Sequence, residues 1–230
     1  MSWLLMAAGP AWAYSFTTDE GGDPLRWTRF PVTYATAPAG EDPVPPGALE
    51  EAVDGAYASW ARVDGAAVRF RSVRPGGGAP EVSPEAPNGV WFVHDWPYDP
   101  ELLALTSAWA GTDGAIVAYD VQVNADVAWS TDGAADAFDL QAAITHEVGH
   151  VLGLWHSDVA QAAMFATATP GEAWRRVLDD DDREAVRVLY PPQPGEADGD
   201  GPLAALGCDT SRGALRFWAL GLVVLWRRRP

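Results

Sequence analysis

The period of apolar and polar positions changes several times along the chain, and each change marks an element. Phe30-Pro-Val-Thr-Tyr34 alternates and predicts a first strand, with Pro31 restricting it to an edge or a strand start. After Pro43-Val-Pro-Pro46, the residues Leu49, Ala52, Val53, Ala56 and Trp60 recur at helical spacing. They predict an amphipathic helix over residues 47–61, with Pro46 suited to its first turn. Asp64-Gly65 turns the chain, and Val68-Arg-Phe-Arg-Ser-Val73 alternates again as a second strand. Residues 74–88 fit neither period and, being rich in glycine and proline, predict a loop. Residues 89–94 and 116–123 predict two more strands. Strand, helix, strand, strand, strand is an α+β order and not a nucleotide-binding repeat.

Two helices follow. Leu140, Ala143, Ile144, Val148, Val151 and Leu152 lie at helical spacing, Asp136 or Asp139 can cap the start, and Gly153 is placed to end the helix in a left-handed conformation. After Leu178, four aspartates at 179–182 open a last helix where its dipole favours negative charge. Ala185, Val186 and Leu189 give that helix its inner face, and Tyr190-Pro-Pro192 ends it.

The chemistry is concentrated on the first of these helices. The chain has 4 histidines, and His146, His150 and His156 fall within one stretch, Thr145-His-Glu-Val-Gly-His-Val-Leu-Gly-Leu-Trp-His156. Residues four apart on a helix share a face, so His146 and His150 form a two-nitrogen clamp, and Gly153 lets the chain turn back to present His156. Three neutral imidazoles leave one position of a tetrahedral Zn²⁺ open to water, whose pKa falls to about 7 on the metal. Glu147 is placed to take that water's proton and pass it to a leaving amine. A closed structural zinc would want a fourth protein ligand, and no cysteine or further histidine lies nearby.

The run His146-Glu-Val-Gly-His-Val-Leu-Gly-Leu-Trp-His156 resembles the extended zinc-binding consensus of the metzincin metallopeptidases. Ser157, Asp158 and Met164 resemble the matrixin branch, in which such a methionine forms a packed turn beneath the histidines and is not a ligand. Residues 178–191 resemble the C-terminal helix of the same branch. The resemblance implies an α+β metzincin fold: a twisted mixed β-sheet with an active-site helix and a C-terminal helix. It further implies one catalytic Zn²⁺ held by His146, His150 and His156, Glu147 as general base, and protein or peptide substrates. Two departures stand out. The chain reads Met164-Phe-Ala-Thr-Ala, without the tyrosine many matrixins place there, and no cysteine precedes the domain, so latency through a thiol is not expected. Phe165 and Trp174 suggest an apolar wall for the specificity pocket. Relatives carry a second, structural zinc near the position of His94-Asp95; with no second histidine here, none is expected. Asp95, Asp99, Asp113, Asp120, Asp126 and Asp132 are oxygen donors that Ca²⁺ accepts, but their spacing is not specific for calcium.

Composition and termini complete the reading. A formal charge of -17 and a pI near 4.4 argue against nucleic acid as a partner. All 15 basic residues are arginine, and the single Cys208 excludes an internal disulfide. Residues 1–13 read as a signal peptide ending in a small-x-small pattern, 14–192 as the metallopeptidase domain, 193–202 as a linker and 203–230 as a tail. In that tail, Gly207-Cys208, the apolar run 217–226 and Arg227-Arg-Arg229 resemble a myxobacterial-type sorting signal, a short apolar helix followed by arginines. The expectation is a monomeric bacterial enzyme, secreted or attached to the outer-membrane surface. A surface interaction protein that keeps the fold but not the turnover is the alternative, and the presence of Glu147 argues against it.

Overall fold

The computed structural model describes residues 12–37, 42–74, 80–192 and 222–228. The leader at 1–11, the linker beyond residue 192, Cys208 and most of the tail therefore lie outside the described residues. In chain order the elements are β1 (Val32–Thr36), α1 (Ala48–Ala61), β2 (Phe70–Ser72), β3 (Gly89–Val93), β4 (Leu102–Ala110), β5 (Ile116–Asn124), β6 (Trp129–Ser130) and β7 (Phe138–Asp139). There follow α2 (Leu140–Val151), β8 (Thr167–Ala168), a 3-10 turn (Ala173–Arg176), α3 (Asp180–Leu189) and β9 (Leu222–Arg228).

One sheet runs in the order β2-β1-β3-β5-β4-β9-β8. Strands β1, β2, β3 and β5 are parallel to one another, and β4 lies antiparallel beside β5. Strand β9 pairs antiparallel with β4 on one side and parallel with β8 on the other. The sheet is thus mixed, and the fold is α+β, as expected.

Most expected elements are present with shifted ends. β1 starts after Pro31, which cannot donate to a ladder. Helix α1 starts one residue later than expected because Gly47, at φ 84°, is its N-cap.

Two differences concern the site. No strand is expected over residues 102–110, yet β4 fills that span. Every residue from Leu102 to Ser107 is buried, so both faces are covered and the alternation that betrays a strand is missing. The apolar run of the tail is expected as a short helix, whereas its described part, Leu222–Arg228, is the extended strand β9. So short a run is a marginal helix in isolation, and the edge of β4 offers its backbone a ladder. No helix among the described residues is long and apolar enough to cross a membrane.

The core lies between the sheet and the helices α1 and α2, which pack against each other. Phe92, Leu140, Ile144 and Leu152 are fully or almost fully buried, each worth about 1.5–3 kcal/mol of hydrophobic stabilisation. Three aromatics tie α2 into this core by polar tips as well as area. Trp60 Nε1 donates to Thr145 O at 2.9 Å, Trp27 Nε1 to Val151 O at 2.8 Å, and Tyr190 Oη to Leu152 O at 2.6 Å. The last two satisfy carbonyls at the helix end that have no partner within the helix.

Candidate active site

Helix α2 is fixed at both ends by its own sequence. Asp139 is the N-cap, accepting the N–H of Ala142 at 2.9 Å, and it also takes a two-pronged bond from Arg176 at 2.8 and 2.5 Å. That pairing ties the 3-10 turn to the start of the site helix. At the other end Gly153 adopts φ 88°, which turns the chain back. The returning segment pairs with the N-terminal stretch: Thr17 N–H donates to Gly153 O, Trp155 N–H to Ser15 O, and Ser15 Oγ to His156 O. His156 is held in place by a segment more than a hundred residues away in sequence.

The three imidazoles converge, with one nitrogen from each within 4.8 Å of the others. Among the described residues they are the sole group of three or more such side chains close enough to share an ion. Nδ1 of His146 faces Ala163 O at 2.7 Å and Nδ1 of His150 faces Leu154 O at 2.8 Å. A carbonyl only accepts, so both Nδ1 atoms carry the proton and both Nε2 atoms present lone pairs. Burial, reinforced by the other histidines, pushes both rings well below the usual imidazole pKa, and burial lowers His156 to about 4. All three rings are neutral at physiological pH.

The Nε2 atoms of His146 and His150 lie 2.9 Å apart, and Nε2 of His156 is buried without a hydrogen-bond partner. Facing lone pairs at that distance repel unless a cation sits between them. Neutral, tautomer-fixed nitrogen donors with backbone partners behind them fit Zn²⁺.

Glu147 follows the first histidine and is wholly buried. Thr106 Oγ1, on β4, donates to its Oε2 at 2.5 Å, while Oε1 has no hydrogen-bond partner. Burial pushes the carboxyl up to about 8, against the pull of the Thr106 bond; a cation on the histidines would draw it down again. The result is a carboxylate with one oxygen fixed and the other available to a proton.

Below the histidines, Met164 is buried in the core and packs against α2 at Gly149, where an added Cβ would stand 2.1 Å from its Sδ. The turn carrying Met164 is closed by Ser157 N–H donating to Met164 O at 2.9 Å. Two of the four aspartates that open α3 serve this turn and not only the helix dipole. Asp182 accepts the N–H of Ala163 at 2.7 Å and of Met164 at 3.1 Å, and Asp181 accepts Ser157 Oγ at 2.7 Å. Asp182 also completes a capping box with Asp179. It therefore holds the residue whose carbonyl orients His146.

Burial pushes the Asp182 carboxyl up to about 6 from an ordinary 3.8, against the pull of three backbone N–H groups. A raised folded pKa means that this stability contribution is complete below pH 3.8 and is lost as pH rises through about 6. The Tm of the metal-free protein minus that of Asp182→Asn is therefore expected to fall by several degrees between pH 4 and pH 7. A difference that stays constant or grows would show Asp182 ionised throughout.

Past the turn, Arg175 is buried and donates to Ala162 O at 2.8 Å, Ala160 O at 3.1 Å and Glu172 at 2.8 Å. Its guanidinium lies 5.4 Å from the Phe165 ring centroid and 4.6 Å from that of Trp174. The two aromatics expected to wall a pocket are thus clamped by a cation, and Trp174 is largely exposed. His94 is exposed on the loop after β3 and takes no part in the cluster. The loop aspartates Asp113 and Asp126 accept the N–H of Ala115 at 3.1 Å and of Trp96 at 2.9 Å.

The family model for matrixins matches residues 26–191, which span every element from β1 to α3. The chain belongs to the matrixin family. Over 106 residues this matrixin is 35% identical to Metalloendoproteinase 2-MMP of Arabidopsis thaliana, covering 43% of the chain and 26% of that relative. It is 33% identical to human Matrilysin over 95 residues, 41% of the chain and 34% of the relative. Karilysin of Tannerella forsythia is 38% identical over 77 residues, 34% of the chain and 15% of that protein. The matched part amounts to about a third or less of each of these relatives.

Thr106, Asp182 and Arg175 are the matrixin's site-supporting residues that sequence reasoning missed. Asp182 had a signal, being the N3 acid of a capping box, but nothing local ties it to the turn at Met164. Thr106 lies on the strand whose pattern was unreadable.

Proposed function

We propose that this chain is a zinc-dependent endopeptidase, with His146, His150 and His156 as the metal ligands, Glu147 as the general base and Met164 as the structural turn beneath them. The observation that carries the reading is the pairing of three convergent, neutral imidazole nitrogens with a buried carboxylate that has one bonded and one free oxygen. Bound there, zinc would supply a Lewis acid that polarises a peptide carbonyl and acidifies water. The protein's own groups do the rest. Thr106 holds Oε2 of Glu147, which leaves Oε1 to accept the proton of the attacking water and to deliver it to the leaving amine nitrogen. The carbonyls of Ala163 and Leu154 keep two imidazoles in the tautomer that presents a lone pair. Burial of His146, His150 and Glu147 strengthens these electrostatic interactions.

The relatives' names, metalloendoproteinase among them, support endopeptidase activity on protein substrates. The leader pattern ending at Ala13 and the tail around Cys208 support export and attachment at the cell surface.

Chelation is the direct test. Removing zinc is expected to abolish hydrolysis of unfolded protein and to lower Tm by about 10 °C, since a ligand held a thousandfold above its Kd contributes about 4 kcal/mol. Both should return with one equivalent of Zn²⁺. Stoichiometric zinc without hydrolysis across a broad peptide library would replace the enzyme with a surface interaction protein.

A further inference from the structure

Strand β9 does not extend the sheet at a free edge; it lies between β4 and β8. Those two strands are therefore held one strand apart, about 10 Å, with an extended backbone filling the slot. Three observations put that slot at the candidate active site. Thr106, which bonds Glu147, stands opposite Val224 in the β4–β9 register. Strand β8 follows directly on the turn of Ala163 and Met164 and pairs through Thr167 and Ala168 with Arg227 and Arg228. Helix α2, which bears His146, Glu147 and His150, is in contact with β9. A chain in the slot thus runs along β4 past Thr106, which bonds Glu147, and meets β8 at its Arg227–Arg228 end.

An open slot with backbone N–H and C=O groups on both walls selects for an extended peptide, because only an extended chain satisfies both ladders. We propose that the chain's own segment Leu222–Arg228, seated between β4 and β8, acts as a tethered competitor of the peptide on which the site acts. The tail then has a second role besides any part in sorting: it closes the site in cis, and an incoming peptide must displace it. The regulatory part rests on the peptidase reading of the preceding section; the occupancy of the slot does not. A tethered segment meets its slot at about millimolar effective concentration, so an occupant with a free affinity of about 0.1 mM raises the apparent KM about tenfold.

The test replaces two adjacent residues in the full chain, Val223→Pro together with Val224→Pro. Successive N–H groups of a strand point to opposite edges, so the pair removes whichever one faces β4. In the zinc-loaded proteins, KM for an extended fluorogenic peptide is expected to fall about tenfold in the variant with kcat unchanged. In the metal-free proteins, a labelled synthetic peptide of residues 222–228 is expected to bind the variant and not the parent. Equal KM values, or equal binding of the labelled peptide, would overturn the proposal. Should the variant fail to fold, amide hydrogen exchange of the metal-free parent decides. Protection of Leu222–Arg228 supports occupancy, and exchange at free-chain rates overturns it. If no form hydrolyses any peptide, the peptidase reading has failed, while the binding and exchange measurements still report on the slot.

Discussion

Glu147→Gln is expected to leave one zinc bound per chain and to lower kcat and kcat/KM together by about a thousandfold, within the range usual for a positioned general base. The substitution keeps the shape of the side chain. Thr106 Oγ1 can still donate to an amide oxygen where it now donates to Oε2, so position and packing are retained. What is lost is the free, basic Oε1, since an amide nitrogen does not accept a proton at neutral pH. The three histidines keep their backbone partners, so metal content should not change. In the metal-free protein, where burial pushes Glu147 up to about 8, a neutral replacement should not lower Tm. Zinc analysis, a thermal melt and steady-state kinetics on one preparation separate these effects. Activity within tenfold of the parent, with zinc bound, would sink the assignment of Glu147.

Gly153→Ala is expected to cost about 3–5 kcal/mol, adding the strain of a left-handed residue to that of overpacking. The backbone there has φ 88°, and the new Cβ would lie 2.2 Å from Leu25 O. That carbonyl belongs to a buried residue whose N–H is bonded to Thr17 O at 2.8 Å, so it is not free to withdraw. The turn would shift, and with it His156, three residues on, whose carbonyl is held by Ser15. A Tm loss of roughly 10 °C or more is expected together with zinc affinity weakened at least tenfold, as misplacing a supported ligand does. An unchanged Tm with unchanged zinc affinity would mean that the turn relaxes and that the strict fit at Gly153 is not needed.

These two residues illustrate what could be read locally. The spacing of His146 and His150, the adjacent Glu147 and the stop at Gly153 are all relations within a few positions on one helix. Helical geometry converts such spacing directly into shared faces and an end point. Asp139 was one of two candidate caps, and its bond to Ala142 N–H, three residues away, distinguishes it from Asp136. Strand β4 was not readable for the opposite reason. Its residues are buried on both faces, and a run with no exposed side carries no period that distinguishes it from any other apolar stretch.

By itself, then, the sequence determined the α+β class, the helix that presents the histidines and the carboxylate beside them, because each depends on neighbours a few positions apart. Tertiary structure decided which groups stand around these residues. It brought Thr106 onto Glu147 from 41 positions away and Asp182 onto the N–H groups of Ala163 and Met164 from 19 and 18. It also laid Leu222–Arg228 between β4 and β8. Such contacts follow from how strands are ordered and how helices pack across the whole fold, and no local periodicity records that order.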